Sequence, residues 1–151
     1  MNSDSNLFIR ELILDDYQRG YIELLGNLTQ SGYLPKHIFD NVFQAVENNP
    51  FHFIFVMEDR EKGRIVASAT LLLEWKFTHG ACQAGHIEDV VVDPNYQGFG
   101  LGRKMIDHIL NFIRESKPEC YKVILDCAEK NVGFYEKCGF KKNGVEMRLD
   151  F

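Results

Sequence analysis

Apolar positions along this chain fall into short runs whose period changes from two to about 3.6 and back several times. Leu7 to Leu14 (LFIRELIL) reads as a first strand. Asp15-Asp16 then supplies an N-cap and a first-turn acid for a helix reaching about Leu28, with Tyr17, Tyr21, Leu24, Leu25 and Leu28 on one stripe. Thr29-Gln30-Ser31-Gly32 breaks that helix. Pro35 opens a second helix, on which Ile38, Phe39, Val42, Phe43 and Val46 recur at helical spacing, and Asn48-Asn49-Pro50 ends it. Phe51 to Glu58 and Arg64 to about Phe77 read as a hairpin of two strands around the polar turn Asp59 to Gly63. A loop from Thr78 to Ala84 leads to the strand His86 to Val92, closed by Asp93-Pro94. Leu101, Met105, Ile109, Phe112 and Ile113 mark a helix from about Gly100 to Ser116, stopped by Lys117-Pro118. Tyr121 to Cys127 is a short apolar strand, Asn131 starts a short helix ended by Gly139, and Val145 to Leu149 is a last strand.

The predicted order is β-α-α-β-β-β-α-β-α-β. One helix links the central strand to the Tyr121 strand, which favours a parallel pair there and hairpins elsewhere. This is an α/β domain with a mixed central sheet flanked by helices. At 151 residues a single domain, 1–151, is expected. The net charge of −5 argues against nucleic acid as a partner, because phosphate backbones require clustered Lys and Arg. Met1 to Asn6 is polar, and no stretch approaches the ~20 apolar residues of a membrane span. A cytoplasmic protein is expected. Cys82, Cys120, Cys127 and Cys138 form no C-x-x-C pair, and no His lies at a metal-finger offset. Four free thiols, mostly buried, and no metal site are expected.

Between the central strand and its helix lies Gln97-Gly98-Phe99-Gly100-Leu101-Gly102. Three glycines at alternate positions leave the backbone uncovered just before a helix. Free N–H groups and the positive end of the helix dipole make an anion site there, suited to a phosphate or pyrophosphate. A dinucleotide fingerprint does not fit, since counting from Gly98 puts Arg103 at the third glycine. A triphosphate loop does not fit either, since no glycine precedes Lys-Ser or Lys-Thr. The remaining pattern is Q-x-x-G-x-G at Gln97, Gly100 and Gly102, directly after VVVDP.

That pattern resembles the acyl-CoA loop of the GNAT superfamily of N-acetyltransferases. A second motif, NVGFYEKCGF from Asn131 to Phe140, resembles the segment with which the same superfamily covers the CoA arm. The resemblance implies a GNAT fold and acetyl-CoA as co-substrate. Its diphosphate would be held by Gln97, Gly98, Phe99, Gly100, Leu101, Gly102 and Arg103, and its arm by the backbone of Val90, Val91 and Val92, with Asn131 and Tyr135 over it. In this fold the central strand and the Tyr121 strand part to admit the cofactor. The strings GHIEDVVV, CYKVILDC and GVEM narrow the resemblance to members that acetylate an amino sugar phosphate. They imply transfer to the 2-amine of glucosamine 6-phosphate, on the way to UDP-N-acetylglucosamine, by a homodimer whose sugar site lies where the subunits meet.

The residues can carry that chemistry. A phenol at Tyr135 can hydrogen-bond a departing thiolate and protonate it. Glu88 and Asp89 are neighbours on a strand, so regular alternation sends them to opposite faces and forbids a shared carboxylate pair. The resemblance places both at the amino sugar, with Glu88 accepting the amine proton directly or through water, and Asp126 near the amine. The sugar phosphate needs cations, for which Lys76, His79, Lys122 and Arg148 are available, with Thr29 as a hydroxyl donor. The resemblance supports Thr29 and the segment Lys76-Phe77-Thr78-His79. It also implies an arginine at or beside the last residue, where this chain has Asp150; Arg148 serves only if the strand register shifts by two, which keeps the same face. Positioning alone can supply much of the rate, so the cysteines, Cys127 included, read as bystanders. His37 and His108 are expected to be exposed on helices, and neither they nor His52 and His86 receive a catalytic role; His86 could order a neighbour. Two other readings stay open: a GNAT acting on a protein N-terminus, a lysine or a polyamine, and a non-catalytic acyl-CoA-binding module. The second needs only the loop and gives Tyr135, Glu88 and Asp126 no task.

Overall fold

The computed structural model describes residues 6–29 and 32–151. Most of the polar N-terminal stretch and two residues of the first predicted helix break, Gln30 and Ser31, lie outside the described residues. Five strands, β1 (Leu7–Glu11), β2 (His52–Asp59), β3 (Arg64–Trp75), β4 (Gln83–Val92) and β5 (Cys120–Ile124), form one sheet in chain order. The first four are antiparallel neighbours and β5 runs parallel to β4. The helices are α1 (Tyr21–Leu25), α2 (Lys36–Glu47), α3 (Leu101–Ser116) and α4 (Val132–Lys137). Among the described residues, no helix is long and apolar enough to cross a membrane.

Strand alternation divides the core between the two faces of the sheet. Phe55 and Met57 of β2 join Leu101, Met105, Ile106, Ile109 and Ile113 of α3 on one face. Val56, between them, joins Tyr21 and Leu24 of α1 and Phe39 of α2 on the other. The apolar stripe of α3 is what fixes this helix against the sheet, since each fully buried Ile or Met side chain contributes about 2 kcal/mol relative to exposure. It holds the N-terminus of α3 at the end of β4.

Four expectations need correction. The first predicted helix is interrupted: a 3-10 turn at Leu14–Tyr17 ends before Gly20, whose φ of 83° reverses the backbone before α1 begins. The N-cap of that turn is Ile13 and not Asp15, while Asp16 is a first-turn acid as expected. It is fully buried and accepts hydrogen bonds from Arg10 Nη1 (2.7 Å), Arg10 Nη2 (2.8 Å) and the Ile13 amide (2.9 Å). His108 is not exposed either: its ring meets Phe55 edge-on with centroids 4.8 Å apart, and burial pushes its pKa down. The predicted strand Val145–Leu149 does not form. The chain beyond Gly139 has no regular secondary structure, and Val145, Met147 and Leu149 are largely exposed, because nothing among the described residues covers their apolar side. All four cysteines are free as expected, but only Cys138 is buried, the others being half-buried near the sheet end and its loops.

Candidate active site

The site is organised by the parting of β4 and β5. Their pairing runs from Gln83 opposite Cys120 to His86 opposite Ile124 and stops there. β4 continues to Val92, still paired with β3, while β5 ends at Ile124. The predicted strand through Cys127 is therefore too long: Leu125, Asp126 and Cys127 have already left the sheet on their way to a 3-10 turn at Glu129–Asn131. Ile87 to Val92 consequently present one edge of β4 without a neighbouring strand, and backbone polar groups on such an edge need a partner.

That edge is also irregular. Thr70 faces Glu88 and Ser68 faces Val91, so Ala69 is opposed by two residues, Asp89 and Val90. Asp89 takes a left-handed φ of 50° to accommodate the extra residue. Regular alternation of Glu88 and Asp89, the premise for separating them, therefore fails at this bulge. Glu88 is half-buried, and its pKa is raised, first by that burial, then by Asp126, Asp89 and Glu146, while His86 opposes the rise. Three sequence-predicted acids thus lie together at the opening. Val90 and Val92 pack with the α3 core and Val91 with the α1 core, so their side chains are structural while their backbone borders the opening.

At the far end of the same edge stands the glycine loop. Gly98 (φ 85°) and Gly100 (φ 76°) occupy the left-handed region, and Gly100 is the N-cap of α3 with no side chain capping it. Lys104 donates the first backbone bond of the helix, to the Gly100 carbonyl at 3.1 Å. The amides of Leu101, Gly102 and Arg103 precede any intrahelical acceptor and carry the positive end of the dipole. Gln97 Nε2 reaches back to the Val92 carbonyl at 3.5 Å, and Phe99 is exposed. The Leu101 side chain is core, so only its backbone is available to a ligand. Arg103 is committed differently from expectation: Nε bonds both oxygens of Asp107 (3.1 and 3.0 Å), and Nη1 bonds the Lys137 carbonyl, which ties α3 to the end of α4.

α4 brings Tyr135 to this opening. Its ring lies edge-on to Phe134 (4.9 Å) and to Phe140 (6.1 Å). Burial pushes the phenol pKa up to about 12, with Cys127, Cys138 and Asp126 adding to the rise. Tyr135, Cys127 and Asp126 are therefore neighbours. Asn131 sits exposed at the end of the 3-10 turn before α4.

The cations predicted for the phosphate are only partly assembled. Lys76 Nζ lies 2.5 Å from Glu74 Oε1, and His86 Nε2 lies 2.9 Å from Glu74 Oε2. The His79 ring stacks on Tyr121 at 4.3 Å, and Lys122 Nζ lies 5.4 Å from the same ring. Phe77 and Thr78 are exposed in the loop between β3 and β4. Thr29 is exposed at the border of the undescribed Gln30 and Ser31. Arg148 is not brought to this group; its guanidinium pairs with Asp150 (Nε to Oδ1, 2.7 Å) in the exposed C-terminal segment. Glu74 and Glu146 escaped the sequence reading. Glu74 had a signal, an acid two residues before Lys76 at a strand end, whereas nothing local marked Glu146. Among the described residues, no three His, Cys, Asp or Glu side chains are grouped so as to hold a metal ion.

Comparison with known proteins agrees with this geometry. Residues 8–140 match the model of the acetyltransferase (GNAT) family. Glucosamine 6-phosphate N-acetyltransferase of Arabidopsis thaliana is 40% identical over 144 residues, covering 95% of each chain. The Trypanosoma brucei brucei protein of the same name is 43% identical over 130 residues, covering 86% of each. The crystal structure of glucosamine-6-phosphate N-acetyltransferase from Arabidopsis thaliana superposes with a TM-score of 0.92 at 39% identity, covering 96% of this chain and 98% of that one. The chain belongs to the acetyltransferase (GNAT) family, on the branch of the glucosamine 6-phosphate N-acetyltransferases.

Proposed function

We propose that this chain transfers the acetyl group of acetyl-CoA to the 2-amine of glucosamine 6-phosphate by direct attack in a ternary complex. The carrying observation is the parting of β4 from β5 at His86, with Glu88, Asp126 and Tyr135 around the opening and the glycine-capped α3 at its far end. The names borne by relatives at 40% and 43% identity support the acceptor.

In this reading the amides from Gly98 to Gly102, with Gln97 and Arg103 beside them, hold the diphosphate at the positive end of α3. The backbone of Val90 to Val92 lines the pantetheine arm and polarises the thioester carbonyl. Glu88 accepts a proton from the substrate ammonium. Its raised pKa brings it nearer the working pH of a general base. The freed nitrogen lone pair attacks the carbonyl carbon, the C–S bond breaks and the sulfur takes the proton of the Tyr135 hydroxyl. The nitrogen sheds its second proton as it becomes the amide, and that proton returns to the Tyr135 oxygen through solvent while Glu88 releases its own to water. A phenol with a pKa of about 12 keeps its proton until a thiolate develops beside it. Asp126 and Asp89 orient the amino sugar. Lys76, His79 and Lys122, with Thr29 and the Phe77-Thr78 backbone, receive its phosphate. Cys127 forms no acetyl-enzyme, and no metal takes part.

We also infer a homodimer with a shared sugar site. Val145, Met147, Leu149 and Phe151 are 87%, 89%, 79% and 115% exposed, at alternate positions, which is the apolar face of a strand lacking a sheet. Glu146 in the same segment nevertheless lies close enough to raise the Glu88 pKa. A second copy that pairs with this segment would bring Arg148 to a phosphate. In this reading one domain, 1–151, carries the activity in the cytoplasm, and its product feeds UDP-N-acetylglucosamine formation.

The test is product analysis joined to initial-velocity kinetics. Mass spectrometry should find N-acetylglucosamine 6-phosphate, and double-reciprocal plots should intersect. Parallel lines with an acetylated Cys127 would contradict direct attack.

A further inference from the structure

We propose that His86 is a positioning residue for the acetyl acceptor: anchored by Glu74, its ring stands two residues before Glu88 on the same face of β4, at the last position where β4 and β5 pair. The proposal rests on the reading of Glu88 as the proton acceptor.

The anchor is geometric. His86 Nε2 lies 2.9 Å from Glu74 Oε2, and the other oxygen of that carboxylate is 2.5 Å from Lys76 Nζ. On β3, Glu74 pairs with Ala84 and Leu72 with His86, so the histidine reaches its acid diagonally across the strand pair. Residues 86 and 88 both precede the bulge, where alternation is still regular, so their side chains leave the same face. Lys76, Glu74 and His86 are thus joined by hydrogen bonds, and the ring that ends the series stands one alternate position from Glu88. In the proposed reading these groups flank the phosphate and the amine of the sugar.

The surroundings make the ring consequential. Glu88 faces Asp126 from the segment after β5, Asp89 from the bulge and Glu146 from the C-terminal segment, all of them acids. Its partner on β3 is Thr70, which carries no charge. His86 opposes the acids, and it faces Glu74 of β3 and Glu88 of its own strand. Without the ring, Glu88 has acids on every charged side and holds its proton to higher pH. Glu74 is also left to Lys76 alone.

The experiment measures kcat/KM for glucosamine 6-phosphate against pH, at saturating acetyl-CoA, for the wild-type protein, His86→Gln and Glu88→Gln. Substrate ionisations are common to all three, so differences report the protein. In His86→Gln the acid limb should move up by about half a pH unit, a roughly threefold loss of kcat/KM low on that limb, for a charge effect over one alternate-residue spacing. CoA affinity by calorimetry should be unchanged. His86→Asn provides the same reading should the glutamine variant fold poorly. Glu88→Gln should lose about 100-fold or more in kcat. A crippled Glu88→Gln with an unmoved or lowered limb in the His86 variants overturns this proposal alone. A fully active Glu88→Gln overturns the base assignment and this proposal together.

Discussion

Gly102 and Phe134 touch across the join of α3 and α4: a Cβ built on Gly102 would lie 3.2 Å from Phe134 Cζ and 3.6 Å from its Cε2. A glycine of the loop proposed to hold the diphosphate is thus also the seat of the ring next to Tyr135. Gly102 has ordinary helical backbone, so alanine there adds no strain and gains up to about 1 kcal/mol of helix propensity. The ring must nevertheless retreat by a few tenths of an ångström, and Tyr135 moves with it. Gly102→Ala should keep or raise Tm while turnover falls several-fold. Measuring both on one preparation separates this from simple destabilisation, in which both would fall.

Tyr135→Phe should lower kcat by about 100-fold, the scale of one general-acid contribution, with CoA affinity within about twofold of wild type. The sign of the pH dependence follows from burial, which raises the phenol pKa to about 12. The hydroxyl therefore keeps its proton throughout an assay range of about pH 6 to 10, and Tyr135 contributes no basic limb there. Wild type and variant should share the same basic limb, checked by pH profiles of kcat.

Asp89 holds a φ of 50° at the β4 bulge. An L-residue without a compensating side chain is costly in that region, and glycine is not. Asp89→Gly should be more stable than Asp89→Ala by about 1 kcal/mol in urea unfolding. Both should lose kcat/KM for the sugar phosphate. Equal stabilities would show that the bulge relaxes without its left-handed residue.

Asp16 is fully buried against Arg10, which also bonds Glu58 at 2.9 Å. Breaking a buried pair by removing one partner costs about 3 kcal/mol. Asp16→Ala should lose on that order in urea unfolding, with little change in turnover of the folded fraction, because this cluster joins β1 and β2, which β3 separates from β4. A loss under about 1 kcal/mol would mean that Glu58 alone satisfies Arg10.

Much of this architecture was legible where one local signal sufficed. The stripe from Leu101 to Ile113 marked α3, Pro35 marked the start of α2, and the alternate glycines marked uncovered backbone before a helix, where Gly98 and Gly100 prove to be left-handed. The missed features depend on partners distant in sequence. Gln83-Ala84-Gly85 carries no strand pattern, yet β4 begins there because Trp75, Glu74 and Leu73 of β3 supply the ladder. The bulge at Asp89 is invisible in a run of valines, since an extra residue shows only against the facing strand. The alternation of Val145, Met147 and Leu149 was readable, but a strand needs a neighbour, and the described residues provide none. In the site, the motif residues Glu88, Asp126 and Tyr135 do converge. Lys76 was legible as a cation and illegible as a partner of Glu74 and, through it, of His86.

The most direct measurement is thiol release from acetyl-CoA by the purified protein with glucosamine 6-phosphate, with glucosamine, and with lysine peptides or polyamines as acceptors. The account predicts rapid release with the sugar phosphate, weaker release with the unphosphorylated sugar and none above background with the other amines. Release with peptides or polyamines but not with glucosamine 6-phosphate would contradict it.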